Sequence, residues 1–120
     1  MAKILSVDDS RTIRQLVTTV LEADGHEVMT AEDGMAAMQL ARSHKFDLIL
    51  SDVNMPVMSG ISLVSKLRNL EGYEFLPIIM LTTEGSDYKK NKAKSVGATG
   101  WLQKPFTPDR LLAAVHKLIG

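Results

Sequence analysis

DLILSDVNMPVMSG, residues 47–60, decides how the chain is read. Leu48, Ile49 and Leu50 are three apolar residues in a row, the middle of a buried strand. A carboxylate, Asp52, stands just past that strand, and Pro56 and Gly60 then prevent regular structure. A solvated turn residue is the plain explanation for an acid in that place. It has to be weighed against what the other strands carry at the same end.

Short β-rich runs recur at Lys3–Val7, Glu27–Ala31, Asp47–Ser51, Pro77–Leu81 and Gly100–Gln103. The segments between them have helical spacing. Ile13, Leu16, Val17, Val20 and Leu21 form one apolar stripe, and Gly25 follows where a left-handed helix end is wanted. Asp33 can cap a second helix carrying Ala37, Met38 and Ala41. A third carries Ile61, Leu63, Val64 and Leu67 after Gly60. A fourth, the lysine-rich SDYKKNKAKSVG of residues 86–97, stops at Gly97, and a fifth opens with Thr107 as cap and Pro108 in the first turn. Strict alternation of this kind predicts an α/β fold, a five-stranded parallel sheet doubly wound by helices on both faces. The first, third and fourth runs are the most apolar and belong at the centre. The mixed runs EVMTA and GWLQ suit the edges.

Size and charge narrow the function. A chain of 120 residues builds one ordinary domain, here residues 1–120, with a single core. Fourteen basic and fourteen acidic side chains cancel, so no global field draws in nucleic acid or an anionic membrane. No stretch approaches the roughly 20 apolar residues of a membrane span, and the amino terminus has too short an apolar run for a signal peptide. The absence of cysteine excludes disulfides, thiolate zinc sites and a thiol nucleophile. A cytoplasmic location is the expectation.

In open parallel sheets, ligands bind beyond the carboxyl ends of the strands. There the first run delivers Asp8 and Asp9, the third Asp52, the fourth Thr82 and Thr83, and the fifth Lys104. Taken singly, Asp8 or Asp9 caps the first helix, Asp52 is a turn residue, Thr82 a cap and Lys104 a solvated lysine. Together they are harder to dismiss. Adjacent strands lie about 4.8 Å apart, so the three carboxylates converge if the first and third runs are neighbours. Clustered carboxylates repel one another, and a hard divalent cation such as Mg2+ relieves that. A lysine and a hydroxyl beside them neutralise the oxygens of a transferred phosphoryl group, for which an aspartate can be the nucleophile.

VDDS after the first strand, SDVNMPVMSG after the third, MLTTE after the fourth and KPF after the fifth resemble the receiver domain of two-component response regulators. The wording of DVNMPVMSG and KPFT is most similar to stand-alone chemotaxis regulators of the CheY type. The resemblance covers essentially the whole chain and implies the flavodoxin-like strand order 2-1-3-4-5. It implies Asp52 as phosphoacceptor, Asp9 and Asp52 as direct Mg2+ ligands, Asp8 as holder of a metal-bound water, and the Asn54 carbonyl as a further ligand. By the same resemblance Lys104 pairs with the phosphoryl oxygens and precedes a cis proline, and Thr82 is the switch hydroxyl. Trp101 stands at the switch aromatic, while Asn54 and Glu84 tune dephosphorylation. Trp101 is larger than the usual Tyr or Phe, and Thr83 replaces a commonly smaller residue.

The implied partners are a histidine kinase of the CheA kind, a protein target such as the flagellar motor switch, and a phosphatase. The contact surface would be the fourth helix, fifth strand and fifth helix of a monomer. Because the chain stops at Gly120, directly after the fifth helix, output is expected through protein contact, without nucleic acid or membrane. The expected role is that of a phosphoacceptor switch with self-dephosphorylation, not an enzyme. A phosphate-sink role is the runner-up. A haloacid-dehalogenase-type phosphatase would want an acid where Asn54 stands, and a flavodoxin-like carrier would find DDSR repelling its phosphate. Met29, Met38 and Met80 read as core fillers, and Met55 and Met58 as loop packing. Lys89, Lys90, Lys92 and Lys94 read as a solvated face. His26, His44 and His116 are scattered along the chain, which speaks against a histidine metal site.

Overall fold

The computed structural model describes residues 2–55, 58–83, 91, 94 and 97–119. Five strands, β1 (Lys3–Val7), β2 (Glu27–Ala31), β3 (Leu48–Asp52), β4 (Ile78–Thr82) and β5 (Gly100–Gln103), form one parallel sheet in the order β2-β1-β3-β4-β5. The α/β class, the order, and the central and edge strands are as expected. β3 and β4 are buried along their whole length, because a strand between two others has helices over both faces.

Four helices are described: α1 (Arg11–Ala23), α2 (Gly34–Ser43), α3 (Gly60–Arg68) and the C-terminal helix (Pro108–Ile119). On one face Val17 and Leu21 of α1 pack with Leu111 and Val115 of the C-terminal helix over Ile4, Leu48, Leu50, Ile79 and Leu81. On the other, Ala37, Met38 and Ala41 of α2 join Leu63, Val64 and Leu67 of α3 over Leu5, Ile49, Ile78 and Met80. Alternate strand residues thus feed alternate cores. Of the segment predicted as a fourth helix, Asn91 and Lys94 are helical and exposed; Lys89, Lys90 and Lys92 lie outside the described residues.

The helix ends follow local chemistry. Asp33 accepts from the Ala36 amide and Thr107 from the Arg110 amide, as the caps they were read to be. α1 is different. Its cap is Ser10, whose hydroxyl accepts from the Ile13 amide, and Asp8 instead accepts from the Ser10 amide. Neither aspartate is spent on capping the helix. At the other end of α1 the His26 amide donates to the Leu21 carbonyl and the Gly25 amide to the Glu22 carbonyl, a six-residue closure that needs the left-handed Gly25 (φ +92°).

Candidate functional site

The carboxyl end of the sheet brings together polar side chains from the β1, β3 and β5 termini. Asp52 is the last residue of β3 and Thr82 the last of β4, one position further into the strands than the apolar runs suggested. The ladder continues through them, since Asp52 pairs with Leu81 and Thr82 with Gln103. A strand residue is held by its neighbours, so its side chain is aimed more narrowly than one on a loop.

Gly60 explains the loop that follows. It does not break structure, as the sequence suggested, but opens α3, with Ser59 as the cap. Its amide donates to the Val53 carbonyl, and a Cβ there would lie 2.1 Å from the Asp52 carbonyl oxygen. Only glycine lets the helix start so close to the acid.

Asp8, Asp9 and Asp52 each offer a carboxylate oxygen within 4.8 Å of the others. Asp8 is fully buried and Asp52 nearly so, whereas Asp9 is exposed. The Lys104 ammonium lies 2.7 Å from Asp8 Oδ2 and 3.4 Å from Asp52 Oδ1. The Asn54 amide donates to Asp52 Oδ1 at 3.4 Å. Lys104 is positioned through its own backbone, its amide donating to the Thr82 carbonyl at 2.6 Å, and the Lys104–Pro105 bond is cis. Arg14 adds a second positive group by donating to the Asp8 carbonyl at 2.6 Å.

One ammonium and one guanidinium do not balance three carboxylates. Burial, then the Asp8 charge, pushes the Asp52 carboxyl up to about 6, against the opposing pull of Lys104 and the Asn54 amide. The donor set fits a hard cation: all are oxygens, and all lie within 4.8 Å of one another. A cation there would favour the ionised form of Asp52.

Thr82 is fully buried, on the sheet face that also carries Met80. Trp101 pairs with Met80 two rungs before Thr82, is partly buried, and packs against the core of that face. A cleft of about 110 Å³ lies beside it, lined by Thr99, Ala114, Lys117 and Leu118 among others. Thr83 and Asn54 are exposed. Glu84 lies outside the described residues.

One expectation is corrected. His26 and His116, 90 positions apart in sequence, are not scattered in space: both ring Nε2 atoms meet Asp24 Oδ2, at 3.0 and 2.7 Å. The fold brings the last turn of the C-terminal helix against the end of α1, a meeting that sequence separation hides. His44 stays apart, its Nδ1 3.1 Å from the Lys3 ammonium.

Comparison with known proteins matches this arrangement. Residues 4–116 match the family model of the response regulator receiver domain. A chemotaxis protein CheY homolog of Campylobacter jejuni is 38% identical over 98% of this chain and 92% of its own length. Protein PilH of Pseudomonas aeruginosa is 35% identical over 99% of this chain and 98% of its own. The structure of Vibrio cholerae chemotaxis protein CheY4 superimposes with a TM-score of 0.96 at 52% identity, covering 98% of both chains. Strand order, the three aspartates and the lysine at the strand ends, and a family match over nearly the whole chain lead to one conclusion: the chain belongs to the response regulator receiver domain family, with CheY-type relatives.

Proposed function

We propose that this protein is a phosphorylation-controlled binding switch in which Asp52 accepts a phosphoryl group from a phosphohistidine donor. The observation that carries the reading is the Lys104 ammonium held between Asp8 and Asp52 beside the exposed carboxylate of Asp9. Asp52 Oδ attacks phosphorus, the phosphorus–nitrogen bond of the donor breaks, and the imidazole leaves. Lys104 pairs with the phosphoryl oxygens as they approach. Asp8, Asp9, Asp52 and the Asn54 carbonyl are the groups to hold Mg2+, which supplies positive charge against both the carboxylates and the phosphoryl oxygens. Because protons compete for Asp52, metal affinity should weaken below about pH 6.

The Thr82 hydroxyl then turns toward the phosphoryl group. Trp101, two rungs away on the same face, repacks, and the surface of β5 and the C-terminal helix changes its affinity for a protein target. Asn54 and Glu84 set the lifetime of the aspartyl phosphate. The domain works as a phosphoacceptor that dephosphorylates itself, without turning over a separate substrate. It acts as a cytoplasmic monomer; among the described residues no helix is long and apolar enough to cross a membrane.

A histidine kinase of the CheA kind as donor and the flagellar motor switch as target are supported by the chemotaxis relatives. The full-length similarity to PilH supports a second reading, a target in a different pathway. Capture of partners on beryllofluoride-loaded protein separates the two. The chemistry is tested by incubation with acetyl phosphate and Mg2+. The intact mass should rise by one phosphoryl group, and Asp52→Asn should abolish the gain. A full gain in Asp52→Asn would overturn the assignment.

A further inference from the structure

The end of the sheet remote from Asp52 holds a second cluster with metal-binding chemistry, which the phosphoryl reaction does not use. Asp24 is the C-cap of α1, His26 follows through the left-handed Gly25, and His116 stands in the last turn of the C-terminal helix. The closure at the end of α1 fixes the first two relative to each other, with the His26 amide bonded to the Leu21 carbonyl. The His26 side chain is only 10% exposed, so its ring is set by packing. Asp24 and His116 are more open, at 28% and 48%, which leaves a path from solvent.

We propose that Asp24, His26 and His116 form a binding site for a divalent transition cation of the Zn2+ class. Two imidazole nitrogens and a carboxylate are the donors such ions prefer, whereas Mg2+ prefers oxygen alone. The geometry is close to that of a loaded site. Bonds of about 2.0–2.1 Å in a tetrahedron put neighbouring donors about 3.3 Å apart. The two nitrogen–oxygen separations are 3.0 and 2.7 Å, and the three donors lie within 4.8 Å of one another. Small outward movements of exposed side chains would admit the ion, and water would take the fourth position. The cost is specific. The Ala2 amide donates to His26 Nδ1, so the neutral ring carries its proton on Nε2, facing Asp24. Ligation through Nε2 moves that proton to Nδ1 and gives up the Ala2 bond. The bound ion would tie α1 and the start of β2 to the C-terminal helix, whose other residues line the cleft beside Trp101.

The test is titration of the full chain with Zn2+ in excess Mg2+, followed by nitrogen NMR of the histidine rings and by calorimetry. One Zn2+ should bind per chain, with the Nε2 resonances of His26 and His116 shifting together and His44 left unchanged. Outer-shell substitutions at metal sites cost about 10–100-fold in affinity, so loss of a ligand in His116→Gln should cost at least about tenfold. His116 is exposed, and its replacement leaves the core intact; Asp24→Asn is the second variant. Unchanged Zn2+ affinity in both variants would overturn the proposal. So would Zn2+ shifts confined to the loops of Asp8, Asp9 and Asp52, or a wild-type affinity no better than that of a single surface histidine.

Discussion

The two ends of the sheet treat carboxylates in opposite ways. At the carboxyl end, three acids share one lysine, two of them are buried, and the Asp52 carboxyl is raised to about 6. At the amino end, one half-exposed acid is shared by two imidazoles. The His116 hydrogen bond, then the His charges and the His26 hydrogen bond, hold Asp24 below the usual carboxylate range despite partial burial. The acids outnumber the groups that neutralise them at the first end, whereas two rings share a single acid at the second. A site short of positive charge is unfavourable as it stands, and removing its acid should help the resting fold. At the other end, removing the acid should harm the fold.

The largest expected effect tests that contrast through pH. A raised Asp52 pKa means that its contribution to stability is whole below about pH 3.8. It is lost as pH rises toward about 6, and the penalty is constant above that. Asp52→Asn should therefore stabilise the metal-free protein at pH 7 by up to about 3 kcal/mol, since each pKa unit corresponds to about 1.4 kcal/mol. The gain should vanish near pH 3.8 and shrink when Mg2+ is added. Asp24 has the opposite sign: its contribution is present above the ordinary carboxylate range and is lost as pH falls through its depressed pKa. Asp24→Asn should be mildly destabilising at pH 7, with the difference closing in acid. Urea unfolding across pH checks both. Gains or losses of the same sign in the two variants would break the comparison.

The next effect is kinetic. Lys104→Ala removes the only ammonium seen against Asp8 and Asp52 among the described residues. Loss of one preorganised donor at a charge-developing site typically costs about 100-fold or more in rate. Phosphorylation by acetyl phosphate should slow by about that factor, with Lys104→Arg restoring part of it, as intact-mass time courses would show. A rate within about threefold of wild type would remove Lys104 from the chemistry.

The smallest effect is spectroscopic. Trp101 is the single indole of the chain and lies two rungs from Thr82. Beryllofluoride with Mg2+ should change its emission or its quenching by iodide, and Thr82→Ala should blunt the change. Equal responses in the two proteins would mean that the indole senses the ligand without Thr82.

Much of this arrangement was legible in residues alone, and the parts that were not share a physical cause. Apolar density separated central strands from edges because only a central parallel strand is covered on both faces. The order of the strands came from family resemblance, since apolar density orders nothing beyond centre and edge. Asp8, Asp9, Asp52, Thr82 and Lys104 could be grouped because parallel strands deliver their ends to one side. Boundaries were less certain. Asp52 and Thr82 belong to the ladder although polar, because their backbones pair whatever the side chain. Ser10 rather than an aspartate caps α1, a choice between three adjacent capping residues that only tertiary contacts resolve. Gly60 looked like a breaker because its close approach to the Asp52 carbonyl is a feature of the folded backbone. The cluster of Asp24, His26 and His116 was invisible for a similar reason, though Asp-Gly-His after an amphipathic helix was a local signal for its first two members.

The most direct measurement is an amide NMR titration with Mg2+ followed by beryllofluoride. Mg2+ alone should shift Asp8–Ser10 and Asp52–Asn54. Beryllofluoride should extend the change to Thr82, Trp101 and Lys104, and Asp24–His26 should stay still throughout. Shifts that survive unchanged in Asp52→Asn, or that centre on Asp24–His26, would contradict the placement of phosphoryl chemistry at the carboxyl end of the sheet.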